Sequence, residues 1–330
     1  MNVQITIIGL GQVGSSIGLA LAGQKNIKRV GHDKNYETAH LAQKMGAVDE
    51  VRVNLPSSVS DAQVIILSLP LSEIRDTVGY IAQDIREGTV ILDTAPAKGE
   101  VASWMGELIP PGRYYIGLAP AAGANHLHGI EIGVDSARAD FFKNGLFLVN
   151  VPRGTPGAAL ELASDLVKLL GADVMFTDDV EADGLLASTH LLPQLAGAAL
   201  LDATVNQPGW REARRLAARP YAAVTSAMTY HDEARSLGDA ALANRANTIR
   251  VLDGYIASLQ NLRERIAEAD GPGVNEVLEA AAKARDRWMS ERLRADWQTV
   301  GPAGQDSQSF GDRLSQMFVG NLFGRDKKKK

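Results

Sequence analysis

The sequence predicts an α/β N-terminal domain built on a parallel sheet, followed by an all-helical C-terminal domain. Three observations predict it. Short β-branched runs alternate with helical patterns over the first half, which implies βαβ units with right-handed crossovers. The run Ala62 to Leu69 is continuously apolar, as suits a strand buried on both faces of a parallel sheet. Beyond Asp179 strand-like runs stop, and long Ala/Leu/Arg segments take over.

Each element follows in order. Residues 3–8 form a strand ending at Gly9, and Ile17, Leu19, Ala20 and Leu21 give the helix after it an apolar face. A second strand runs from Lys28 to His32 and ends at Asp33. A helix covers Tyr36 to Met45, closed by Gly46, and a short strand lies near Val51. After the strand at 62–69 come a helix at Ser72 to Ile85 and a buried strand at Thr89 to Leu92. The helix from Gly99 to Leu108 is stopped by Pro110 and Pro111. Strands at Tyr114 to Gly117 and Leu146 to Val149, a helix at Ala158 to Leu170 and a strand at Asp173 to Thr177 complete the sheet. Helices are expected at 181–206, 210–235, 238–268 and 272–297. The domains are therefore 1–178, 179–300 and a flexible tail at 301–330 that ends in the basic run Lys327 to Lys330. Within the tail, Phe310 to Phe323 reads as an amphipathic segment.

Composition narrows the function. The 330 residues carry a formal net charge of -5, against the basic face that nucleic acid binding needs. The chain has no cysteine, which excludes disulfides, zinc-thiolate sites, iron–sulfur clusters and cysteine nucleophiles. The expectation is a cytoplasmic protein without signal peptide, membrane contact or metal, because no apolar stretch reads as long enough to span a bilayer.

Gly9-Leu10-Gly11-Gln12-Val13-Gly14 has the G-x-G-x-x-G spacing. It follows a strand, opens a helix, and an acidic residue, Asp33, ends the next strand. In a dinucleotide site Gly9 permits the tight turn, Gly11 lets backbone approach a pyrophosphate, and Gly14 lets helix and strand pack closely. The helix N-terminus supplies N–H groups and partial positive charge to the phosphates. Asp33 suits the adenosine ribose and favours NAD over NADP, although Lys34 and Arg29 lie where a 2′-phosphate could be held. This is a Rossmann-type domain. Ser68, Leu69, Pro70 and Asp93 end strands that face the same crevice, so they join the cofactor-binding set.

These segments resemble the prephenate and arogenate dehydrogenase family over roughly residues 3–268. The resemblance rests on GLGQVGSSIGLAL, LSLP at 67–70, ILDTAPAKGEV at 91–101, GLAPAAG at 117–123, ASTHLLPQLAGAAL at 187–200 and ANRANTIRVLDGYIASLQNLRERI at 243–266. It implies an NAD- or NADP-dependent oxidative decarboxylation in tyrosine biosynthesis. A hydride leaves the substrate ring for the nicotinamide, carbon dioxide is lost, and a 4-hydroxyphenyl product forms. It also implies a small carboxylate substrate and a homodimer through the helical domain.

The chain departs from the family at its chemical positions. Ala119 stands where the resemblance implies the proton-accepting histidine, Pro96 where a serine is usual, and Gln194 where a second histidine is expected. Met228 falls near the substrate arginine, while Lys98 and Asp183 match. The candidate catalytic set is therefore His190, one helical turn before Gln194, with His126, Lys98 and Gln194. His128 shares the loop of His126, His32 adjoins Asp33, and His40 and His231 read as helix surface. Arg214, Arg215, Arg219 and Arg245 are candidates for a carboxylate clamp. Two rival readings stand beside this one. A related dehydrogenase or imine reductase that uses a lysine is disfavoured, since residues 181–282 contain none. A non-catalytic dinucleotide-binding protein would need neither missing histidine.

Overall fold

The computed structural model describes residues 3–129, 131–230, 234–295 and 297. His231, the 301–330 tail and the segment Phe310 to Phe323 lie outside the described residues. The chain divides into two compact units, the first ending at Ala182 and the second beginning at Asp183.

The first unit alternates strand and helix. In order it contains β1 (Val3–Ile8), α1 (Gln12–Ala20), β2 (Ile27–His32), α2 (Tyr36–Lys44), β3 (Glu50–Val51), α3 (Leu55–Val59), β4 (Val64–Leu67) and α4 (Leu71–Ile81). There follow β5 (Val90–Asp93), α5 (Lys98–Leu108), β6 (Tyr114–Ala121), β7 (Leu146–Asn150), α6 (Gly157–Leu169) and β8 (Asp173–Thr177). The eight strands form one sheet in the order β3-β2-β1-β4-β5-β6-β7-β8. Strand order reverses beside β1, and there the crevice opens for a ligand.

Pairing is parallel except between β6 and β7, where Gly117 faces Asn150 and Ala121 faces Leu146 antiparallel. The sheet is thus parallel, as expected, apart from this one pairing. A parallel return needs a crossover, usually a helix. Among the described residues of 122–145 the helical pieces are two 3₁₀ turns, Ala124–His126 and Val134–Ser136, and the chain comes back in the opposite direction. The core is dense where the strands are apolar throughout: every residue of β1 and β4 is buried.

The second unit is helical. Here α7 (Asp179–Leu186) runs through one turn of π-helix, Ala187–Leu191, into α8 (Leu192–Val205). Pro193 is tolerated because it enters in the first turn of α8. The joined run Asp179–Val205 is long and apolar enough, by length and composition, to cross a membrane. That corrects the expectation that no apolar stretch is long enough to span a bilayer. Only 22% of its most apolar window is buried.

The helix expected at 210–235 is broken. It becomes α9 (Trp210–Ala213) and α10 (Arg219–Thr225), with Ala218 extended ahead of Pro220. Pro220 sits in the first turn of α10, where its missing N–H costs no helical hydrogen bond. α11 (Ala234–Ala243) and α12 (Arg245–Ala267) divide at Asn244, whose side-chain amide donates to the Asp183 carbonyl at 2.7 Å. α13 (Gly271–Arg294) opens on Asp270, whose carboxylate accepts from the Gly273 N–H at 3.0 Å.

Ile66 is fully buried in β4 between β1 and β5. Ile66→Ala is expected to lower stability by about 2–5 kcal/mol in urea unfolding. Val53→Ala, at a residue 71% exposed, should stay within about 0.5 kcal/mol. Equal effects would contradict this packing.

Candidate functional site

The site is built at the C-terminal end of β1. Gly9 has φ +89, and a Cβ there would stand 2.1 Å from the Ser68 carbonyl oxygen. A Cβ on Gly14 would stand 2.0 Å from the Gly9 carbonyl oxygen. Both glycines are therefore sterically required. Gly11 differs: nothing lies within 4 Å of where its Cβ would be. It adjoins open space, so a ligand can approach its backbone closely.

α1 begins there with no side chain capping its first turn. Its unpaired amides, with the helix dipole behind them, are an anion-binding terminus. The side chains around it are already committed. Gln12 donates its amide to the Glu131 carbonyl at 3.2 Å, and Val13 packs on the core. The contribution of both to a ligand comes from backbone. Leu10 is fully buried and its N–H donates to Asp33 Oδ2 at 2.8 Å, so its role is structural rather than ligand-binding.

Asp33 thus holds the glycine turn while lying half-buried at the end of β2. Its other oxygen accepts from the Asn35 N–H at 2.8 Å. Each carboxylate oxygen has a second lone pair, so a ribose hydroxyl still finds an acceptor. Arg29 is removed from contention for a phosphate. It is buried, bonded to Asp49, and donates to the Gly18 and Gly46 carbonyls at 2.9 and 2.8 Å. The Arg29 and Lys28 partners hold the Asp49 carboxyl below its ordinary value, against the opposing effect of burial, which is the largest single influence. Ser68, Leu69 and Pro70 are half-buried beside Gly9, in the turn between β4 and α4. The glycine turn, Asp33 and the 68–70 turn are accordingly brought together.

Asp93 and Lys98 are not at an open face, and the expectations for them are corrected. Both side chains are fully enclosed, with Lys98 Nζ 2.8 Å from Asp93 Oδ2. That oxygen also accepts the Ala95 N–H at 2.7 Å, and Tyr115 donates its hydroxyl to Asp93 Oδ1 at 2.6 Å. A buried ion pair relies on such added hydrogen bonds to offset the cost of desolvation. The pair joins the end of β5 to the start of α5, and Tyr115 joins both to β6. Neither side chain presents an exposed face. Sequence reading missed Tyr115, because no motif links it to a carboxylate 22 residues earlier.

His126 also sits differently from expectation. Its ring packs on Phe141 at 5.4 Å between centroids, and Nε2 lies 3.3 Å from Asp140. Phe141 leads through Phe142 and Phe147 into the core, so the histidine packs a loop onto the sheet. His128 and His40 are exposed, and His40 stacks on Tyr36. His32 Nδ1 donates to the Arg52 carbonyl at 2.9 Å.

In the second unit Gln194 is buried and donates its amide to the His190 carbonyl at 2.8 Å. Its Oε1 is buried with no protein partner among the described residues. His190 is half-buried on the π-helical turn, a deformation frequent at functional sites. Gln194 and His190 are thus neighbours. Arg214, Arg215, Arg219 and Arg245 are all exposed, and nothing in their surroundings selects one.

Lys98→Ala leaves a buried carboxylate without its cation and should cost about 3–5 kcal/mol. Tyr115→Phe removes one hydrogen bond to a charged group and should cost about 1.5–3 kcal/mol. Urea unfolding measures both, and a neutral Lys98→Ala would contradict the buried pair.

Residues 17–176 match the model for the prephenate dehydrogenase nucleotide-binding domain. The prephenate dehydrogenase of Bacillus subtilis (strain 168) is 24% identical over 289 residues, covering 87% of this chain and 76% of that protein. The fold is shared with prephenate dehydrogenase of A. aeolicus, solved in complex with hydroxyphenyl propionate and NAD+. That likeness has a TM-score of 0.76 and 19% identity over 87% of this chain and 98% of that one. The Synechocystis arogenate dehydrogenase superposes with a TM-score of 0.67 at 21% identity, over 86% and 99%.

Proposed function

We propose that this chain, whose residues 17–176 match the prephenate dehydrogenase nucleotide-binding domain, acts as a prephenate/arogenate dehydrogenase and oxidatively decarboxylates prephenate or arogenate with NAD as hydride acceptor. The observation that carries the reading is the glycine turn, closed by backbone at Gly9 and Gly14 and open at Gly11. A dinucleotide fits it: pyrophosphate on the α1 amides, adenosine ribose on Asp33, and the 68–70 turn alongside. When bound, the nicotinamide supplies the hydride acceptor.

The chain's own part is altered. Ala119, buried in β6, offers no proton acceptor. General acid–base help is worth about 10²–10⁴ in rate, so a relocated base matters. We assign that role to His190, with the Gln194 carbonyl oxygen holding a donor of the substrate. Loss of carbon dioxide creates an aromatic ring, and this strong driving force sustains turnover at a weakened site.

The helical unit also exposes Ile249, Tyr255, Ile256, Leu259, Leu278 and Trp288 on its two long helices. Such a density of exposed apolar side chains marks an association surface. We assign it to a second copy of this chain. Light scattering on the eluted protein should give twice the 35.2 kDa chain mass, and a monomer mass would overturn the assignment.

The activity test is absorbance of reduced nicotinamide with prephenate and with arogenate. Turnover is expected with one of them. It should vanish in Gly11→Asp and fall about 10²-fold in His190→Asn. Tight NAD binding with no turnover on either substrate would overturn the catalytic reading and favour a dinucleotide-binding protein without chemistry.

A further inference from the structure

The rim of the dinucleotide crevice carries one ion pair that the proposed reaction does not use. Lys34 follows Asp33 directly after β2, and its ammonium pairs with the Glu73 carboxylate in the first turn of α4. In the sheet β2 and β4 lie on either side of β1. The pair therefore spans the two turns that flank the glycine loop. In a dinucleotide fold the adenosine lies along the β2 end, where an acidic residue meets the 2′-hydroxyl of NAD and a nearby cation accommodates the 2′-phosphate of NADP.

The neighbouring cations are already held. Arg29 is buried on Asp49. Arg52, just past β3, donates to Glu50 at 2.6 Å and to the Ser57 carbonyl at 2.6 Å, with Asp61 at 3.7 Å. Arg52 and Lys28 pull the Glu50 carboxyl down to about 2. Among the described residues this leaves Lys34, 67% exposed and paired with Glu73, as the cation beside Asp33 at the ribose end. Its charge is met by Glu73, and Asp33 adds a second carboxylate beside it. An incoming phosphate dianion meets two carboxylates and one ammonium there.

We propose that Glu73 is a specificity-determining residue of the dinucleotide site: by holding Lys34 across the crevice, it withholds the cation that would bind a 2′-phosphate, and the site takes NAD in preference to NADP. The inference rests on the dinucleotide reading above and deepens it. The sequence placed Lys34 beside Asp33 but gave no sign of its partner, which is 39 residues away.

The test is calorimetric titration of the full chain with NAD+ and with NADP+, a readout independent of turnover. Wild type should bind NAD+ at least about tenfold more tightly. Glu73→Gln keeps the side-chain shape and removes the charge. It should narrow the NADP+/NAD+ ratio by about three- to tenfold, a modest change because the pair is solvent-screened. Adding Lys34→Gln to Glu73→Gln should cancel that gain, and 0.5 M salt should shrink it. Equal wild-type affinities would overturn the proposal. So would a Glu73→Gln change that affects both dinucleotides alike, which would reveal only a structural role at the start of α4. Failure of both dinucleotides to bind wild type would instead overturn the dinucleotide reading, and this inference would fall with it.

Discussion

The structure depends on a backbone contact that leaves no room for a side chain. Gly9 meets the Ser68 carbonyl, and Gly14 meets the Gly9 carbonyl, at distances that exclude a Cβ. That contact brings the ends of β1 and β4 together and seats the first turn of α1 on the sheet. The uncapped helix terminus follows from it, because the turn that leads into α1 is made of glycine and has no side chain to give. Asp33 then secures the turn from the neighbouring strand through the Leu10 N–H. Binding capacity and fold therefore share the same atoms: a change that relaxed the turn would lose both.

A second constraint organises the far half of the sheet. Asp93, Lys98 and Tyr115 form a hydrogen-bonded polar cluster inside an apolar core. An ion pair there gains little over apolar packing, but losing one partner is severe. The cluster also packs closely under β6. A Cβ on Gly117 would stand 2.8 Å from Lys98 Cδ and 3.0 Å from the Tyr115 hydroxyl. Gly117 leads directly to Ala119, the position at which the family resemblance implies a histidine. The support beneath that position is thus intact, although its side chain is reduced to a methyl group.

Much of the first unit was legible because its signals are local. Continuous apolar runs such as 64–67 mark doubly covered strands, and glycines at positive φ punctuate the turns. The glycine motif was readable for the same reason, since turn, helix start and acidic residue occur in fixed order. Other features depend on distant partners. The antiparallel β7 is set by a connection without a helix, and its apolar strand looks the same in either direction. Asp93 and Lys98 carry the charges of an active site, and only the fold shows them enclosed. The Lys34–Glu73 pair joins residues on separate βα turns. In the helical unit, composition signalled helix throughout, and the break between α9 and α10 was not marked by it.

The central claim is that a dinucleotide sits on the glycine turn with its pyrophosphate at the start of α1. Glycine-selective 15N labelling, with the Gly11 amide assigned through its loss in Gly11→Ala, tests it directly. Addition of NAD+ should shift the Gly11 resonance strongly and leave that of Gly254, on α12 in the other unit, in place. An unmoved Gly11 resonance at saturating NAD+ would contradict the account.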